Sequence, residues 1–409
     1  MSTSVEDALP TAPSTEPVSA RQRGRQLAEK LAGPYRMATV AVTLALIWIF
    51  FYLRDENGVF LSARNLSNLS LQITVMGFVA LGLVFVLLLG EIDLSVAAIA
   101  GMTSAIMAAL YVQNGVAPWL AITAAVASGA AIELCIAVVT VLGPPSFIVS
   151  LGAQLVVNGL LLRILPKVGQ FGLTDTPIAK ITSTYIPTVA AVIVTVVLVV
   201  LYALTRWSTW SRHRQRGSAS GLAALLLPIL GVAAGAAIGL SVFARYRGVP
   251  LAFALFLAVL LVCSYALTQT RFGTYVYAVG GNREAARRAG IPVIPVIIIC
   301  FMICGVMATI GGVIAAARVL GVSSQSGSGS LLLQAIAAAV VGGVSLLGGR
   351  GSVWAALLGA MIIGSISNGM DLLDYSTSAK LIVQGSLLIA AVLIDAVIAR
   401  GSLRPSRGV

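Results

Sequence analysis

Apolar runs of about 20 residues, parted by short polar breaks, organise most of this chain. They fall near 37–53, 70–89, 93–112, 119–141, 145–165, 186–205, 221–243, 250–270, 291–316, 333–347, 353–370 and 381–398. A helix of about 20 apolar residues matches the roughly 30 Å hydrocarbon layer of a bilayer. Backbone groups in that layer must bond within their own segment, so the runs predict helices. Twelve spans result if every run crosses. The breaks at 90–92 and 348–352 are so short that some runs can be re-entrant, which gives ten to twelve. The fold class is all-α, a polytopic integral membrane protein with its membrane domain over 37–398.

Composition agrees with the pattern. Apolar residues make up 58% of the 409 and charged residues 10%, with a mean hydropathy of +1.00. Length alone suggests two or three soluble domains, but no soluble core hides this much apolar surface. The net charge of +12 is spread between the runs rather than gathered in a stripe, so nucleic acid is not the expected partner; the lipid bilayer is. With the N-terminus inside and the spans alternating, 17 of the 26 Lys and Arg fall on the cytoplasmic side and 9 outside. This predicts a multi-pass protein of the cytoplasmic membrane with both termini in the cytoplasm. Residues 1–36, polar and then basic, read as a disordered cytoplasmic tail, and 399–409 as a basic one. The apolar stretch starts too late for a cleaved leader.

Chemistry of the catalytic kind is poorly represented. Cys135, Cys263, Cys300 and Cys304 sit in or beside apolar runs and read as small buried apolar side chains. His213, the only histidine, lies in a basic loop. One His and no thiol cluster argue against a zinc site or a Ser/His/Asp triad. No enzyme activity is expected of this chain.

One stretch departs from its surroundings: VYAVGGNREAARRAGIPV, 276–293. Asn282 can cap a helix, with Glu284 in the first turn and Arg287 and Arg288 in the last. Gly290 and Pro292 then end it, and Glu284 and Arg288 have the favourable i, i+4 order. Two turns are too few to stand alone, since isolated helices need about 12–15 residues. The segment is either a loop that obeys the positive-inside rule or a docking helix for a cytoplasmic partner. Neither GxGxxG nor a Walker A spacing occurs, so ATP is not expected on this chain.

Other polar positions interrupt the runs. GEIDLS, 90–95, places Glu91, Asp93 and Ser95 between two of them, either as a cap at the membrane surface or as a turn shaping a substrate path. Ser146, Ser150, Gln154 and Asn158 follow a double proline at four-residue spacing and share one helix face. That face either bonds neighbouring helices or lines a hydrophilic path. Asn368, Asp371 and Asp374 in SNGMDLLD sit near the predicted outer surface, as a docking point or as solvated loop ends. VVGGVSLLGGRGS, 340–352, is glycine-dense, which favours close backbone packing or a broken helix. LLGEIDLSVAAIAG (88–101) and LLGGRGSVWAALLG (346–359) match at six of fourteen positions, through internal duplication or chance.

Taken together, FLSARNLSNL, GEIDLSV, PPSFIVSLG, YAVGGNREAARRAGI, VVGGVSLLGGRGS and SNGMDLLD resemble, in order, the permease subunits of sugar-importing ABC transporters of the ribose/xylose family. RYRGVP at 245–250, the extra segment around 206–243 and the Glu of GEIDLS are most similar to the xylose-type branch. The resemblance implies a monosaccharide importer with two permease copies, a cytoplasmic ATPase pair that holds ATP and Mg, and an extracytoplasmic sugar-binding protein. It also implies that Gly280, Gly281, Asn282, Arg283, Glu284, Ala285, Arg287, Arg288 and Gly290 couple to the ATPase. Two departures stand out: Leu332 and Gln334 replace an acidic pair frequent in the family, and Ala97 replaces a glycine. A proton-coupled secondary transporter relaying through Glu91 and Asp93 is the competing reading.

Overall fold

The computed structural model of the protein describes residues 36–215, 222–327 and 329–402. The tail expected over 1–36 lies outside them except for Arg36, as does most of the one expected over 399–409. The α-helices longer than four residues are α1 (Arg36–Arg54), α2 (Ala63–Leu88), α3 (Val96–Ala108), α4 (Pro118–Val141) and α5 (Ser146–Ile164). They continue with α6 (Thr188–Gln215), α7 (Leu222–Ala244), α8 (Leu251–Gln269), α9 (Arg271–Gly281) and α10 (Arg283–Arg288). The last four are α11 (Val293–Val319), α12 (Gly329–Val341), α13 (Trp354–Leu372) and α14 (Thr377–Ser402).

Among the described residues, nine helices are long and apolar enough to cross a membrane, and α3 reaches that length through a π-helical turn at Ala109–Gln113. Three shorter apolar stretches, Val42–Arg54, Ser330–Val341 and Thr377–Leu393, bring the set to the twelve runs read from the sequence. At 13 residues α12 rises only about 20 Å, short of a crossing.

The centre of the body is α2 with α11, and α3, α4 and α13 pack on this pair. Nearly all of the apolar window of α2 is buried, including Phe78, Leu81, Val84 and Leu88. Helices gain little from hydrophobic burial against lipid, so close contact depends on small residues. A Cβ at Gly305 of α11 would stand 2.3 Å from the Gly129 carbonyl oxygen of α4, and one at Gly359 of α13 would stand 1.7 Å from the Ala338 oxygen of α12. By contrast α6 and α7 pair mainly with each other and leave Val189, Leu227 and Ile238 exposed, a surface suited to lipid. Two antiparallel pairs of very short strands, Gln170–Gly172 with Gly321–Ser323 and Tyr185–Ile186 with Val249–Pro250, tie connecting segments together.

Two sequence expectations need correction. The basic segment around His213 is not a loop, because α6 continues to Gln215. Cys135 is exposed on α4 rather than buried, since only one face of that helix meets the body.

The two glycine environments predict opposite outcomes. Gly305→Leu should lower the thermal unfolding midpoint in detergent, with an overpacking cost of about 1–3 kcal/mol. Nothing lies within 4 Å of a Cβ at Gly152 in α5, so Gly152→Ala should leave the midpoint unchanged or raise it, by up to about 1 kcal/mol.

Candidate functional site: a glycine junction and a charged helix

The stretch 271–291 is two helices broken at Asn282, so the short capped helix read from the sequence follows directly on another. Asn282 leaves the helical region (φ −162, ψ 107), and its Oδ1 accepts from the Ala285 N–H at 2.9 Å. Arg288 Nε donates to Glu284 Oε1 at 3.1 Å, one turn back along α10. Gly290 takes the left-handed conformation (φ 78), and the Ile291 N–H closes the end on the Ala286 carbonyl. Asn282, Glu284 and Gly290 therefore do what the sequence predicted. Ala286 is the buried anchor of α10, while Arg283, Glu284, Ala285, Arg287 and Arg288 are exposed.

What holds so short a helix is its attachment to the break between α2 and α3. Arg283 forms an ion pair with Glu91, which is nearly buried while Arg283 stays about half exposed. Burial, and then the charge of Arg287, lower the Arg283 pKa from its ordinary value. Glu91 is thus engaged by the charged helix rather than standing free in a path.

Beside this pair, backbone meets backbone. The Gly349 N–H donates to the Leu88 carbonyl at 2.8 Å, and a Cβ at Gly280 would lie 1.8 Å from the same oxygen. Gly281, next in the chain, lies against Gly349. Gly90 (φ 76) and Gly348 (φ 81) hold equivalent places in the internal echo, are both left-handed, and touch: a Cβ at Gly348 would reach 2.7 Å from the Gly90 nitrogen. Tyr277 Oη of α9 donates to the Gly351 carbonyl at 3.0 Å. Three motifs distant in sequence, GEIDLS, YAVGGNREAARR and GGVSLLGGRGS, therefore meet at one end of the helical body.

Segment 90–95 is non-helical, and side chains supply its partners. Ser146 Oγ accepts from the Ile92 N–H at 3.1 Å, and Ser150 Oγ accepts from the Leu94 N–H at 3.0 Å. Asp93, fully buried, accepts from the Ser95 N–H at 2.8 Å and from the Ser95 hydroxyl at 2.6 Å, through Oδ1. The polar stripe of α5 is therefore divided: Ser146 and Ser150 brace the break, whereas Gln154 and Asn158 lie farther along, half-buried. Two further side chains lie beside Asp93. Cys304 Sγ lies 3.8 Å from Asp93 Oδ2, so this cysteine is more than an apolar filler. Glu133 of α4 is fully buried beside them. Its signal was available: Ala121, Ala125, Gly129, Glu133 and Ala137 form a buried four-residue ladder, and only one rung is ionisable.

The end of the body where α2 begins and α13 ends carries the third group. Asn368 is buried and exchanges two side-chain hydrogen bonds with Asn65, at 2.8 and 3.1 Å. Asp371 is exposed and pairs with Lys380, and exposed Asp374 sits in a left-handed turn (φ 55). An open pocket of about 460 Å³ nearby is lined by Ser62, Arg64, Asn65, Asn68, Tyr185 and Tyr246, among others.

The Glu91–Arg283 link predicts non-additivity. Glu91→Gln and Arg283→Gln should each lower stability in detergent, and the double variant should lose less than their sum. The expected coupling is on the order of 1 kcal/mol, kept small because Arg283 remains partly solvated. Strict additivity in a double-mutant cycle would dissolve the link.

Residues 65–392 match the family model described as branched-chain amino acid transport system / permease component. The chain is 34% identical over 379 residues to the xylose transport system permease protein XylH of Escherichia coli K12, covering 89% of this chain and 92% of the relative. The Haemophilus influenzae protein of the same name is 37% identical over 363 residues, with 87% and 94% covered. The ribose import permease protein RbsC of Escherichia coli K12 is 30% identical over 337 residues, with 82% and 87% covered. No solved structure matches. A family match across most of the helical body, with relatives aligned nearly end to end, makes this chain a member of the branched-chain amino acid transport system permease component family, in its ribose/xylose-type branch.

Proposed function

We propose that the chain is the membrane permease subunit of an ATP-driven importer of xylose or a closely related pentose. The observation that carries this reading is the nearly end-to-end similarity to permeases named for xylose transport. The held but exposed α10 supports an ATP-driven rather than a self-sufficient machine, because it offers a cytoplasmic ATPase a capped, charged surface. ATP and Mg belong to that ATPase. A second copy of this chain completes the path, and an extracytoplasmic sugar-binding protein delivers the sugar to the end bearing Asp371 and Asp374. The excess of Lys and Arg on one side supports a cytoplasmic-membrane orientation with both termini inside.

Mechanistically, the permease interconverts inward- and outward-facing states, and the ATPase biases them through its differential affinity for α10. A push on α10 reaches segment 90–95 by two contacts, the Arg283–Glu91 pair and the Gly280–Leu88 packing. The path runs beside that segment, with Glu91, Asp93, Ser95, Ser146 and Ser150 holding its shape and Gln154 and Asn158 extending along it. A proton relay through Glu91 and Asp93 has less support, because each carboxylate already has partners within the protein.

Two measurements test the reading. In proteoliposomes with the ATPase and the sugar-binding protein, xylose uptake should require ATP; uptake driven by a proton gradient without any ATPase would establish the competing mechanism. Glu284→Lys and Arg287→Glu should abolish uptake while membrane insertion stays normal. Normal ATPase association and uptake in both would remove α10 from the coupling role.

A further inference from the structure

The buried carboxylates Asp93 and Glu133 lie beside the Cys304 thiol, with one ligand-type atom from each of the three within 4.8 Å of the others. They come from three elements, segment 90–95, α4 and α11, and all are excluded from solvent. The two carboxylates are not equivalent. Asp93 receives the Ser95 N–H and hydroxyl, faces the Cys304 thiol, and stands just before the N-terminus of α3, where negative charge is favoured. Glu133 receives nothing: both of its oxygens are buried without a hydrogen-bond partner.

An ionised, unpartnered Glu133 next to ionised Asp93 would combine buried charge with like-charge repulsion. Among the described residues the neighbours shown are uncharged: Cys304 and, one turn earlier, Cys300 are thiols, and Thr309 directs its hydroxyl to the Gly305 carbonyl. The tight crossing of Gly129 and Gly305 prevents retreat, since a Cβ at Gly305 would stand 2.6 Å from Glu133 Cγ.

We propose that Glu133 is a neutral carboxylic acid whose O–H donates to the Asp93 carboxylate, and that this shared proton positions the break at 90–95. The hydrogen bond supplies Glu133 with a partner and gives Asp93 a further donor. It also fastens α4 to the segment that α10 grips from its other side. Glu133 is a positioning residue: it acts through Asp93 and does not meet the transported solute.

Only the transport arm of the test rests on the function proposed above. Infrared difference spectroscopy of the full-length protein should show a carboxylic-acid C=O band that is absent in Glu133→Gln. Should that variant fail to fold, Asp93→Asn provides a second readout, because the same band should shift in frequency. Glu133→Gln, whose amide can still donate to Asp93, should retain uptake. Glu133→Leu should lose uptake about tenfold or more, the scale set by leaving a buried polar partner unsatisfied. The proposal is overturned if the band is unchanged by both polar substitutions, if Glu133→Leu transports normally, or if metal analysis finds one divalent ion per chain in place of the proton. Loss of ATP dependence with the band intact would refute the transport reading and leave the shared proton standing.

Discussion

A chain that interrupts its helices inside an apolar body must find a partner for each backbone group it uncovers. Segment 90–95 is where this constraint is most acute. The end of α2 closes on itself through left-handed Gly90, with the Glu91 N–H on the Val86 carbonyl. Beyond it, Ser146, Ser150 and Asp93 accept from the N–H groups of Ile92, Leu94 and Ser95, while the Leu88 carbonyl is occupied by Gly349. Much else follows from those requirements: where α5 must start, why two glycine loops abut, and why a carboxylate is buried in the interior.

The junction shows how two kinds of contact divide the work. Glycine against carbonyl is a contact of shape, intolerant of any added atom but without chemical identity. Glu91 with Arg283 is a contact of charge, able to form or release without repacking the core. A conformational link needs both, one to transmit displacement and one to keep the parts registered. Their coincidence where α9 gives way to α10 gives the charged helix a physical connection to the body.

Much of this was legible from residues alone. Long apolar periods revealed the helices because bilayer thickness imposes a length, and the caps of α10 were readable because capping is local chemistry. Alternating the apolar runs puts the three glycine-bearing motifs on one side of the membrane but says nothing of whether they touch. Their actual contact depends on tertiary packing. The α5 stripe stayed ambiguous for the same reason: four equally spaced polar residues look alike in sequence, yet Ser146 and Ser150 bond a broken segment while Gln154 and Asn158 lie farther along. Glu133 is less legible, because it is a lone acid inside the apolar run 119–141 and its neighbours come from other elements. Cys304 looked inert because its partner, Asp93, is 211 positions away.

The half-exposed Arg283 has a consequence for how the protein responds to its medium. Electrolyte screens exposed charges over about 8 Å at physiological ionic strength but hardly reaches buried ones. Concentrated salt should therefore loosen the grip of α10 on Glu91 while sparing the bonds around Asp93. The protein would keep its interior and lose its clutch as ionic strength rises.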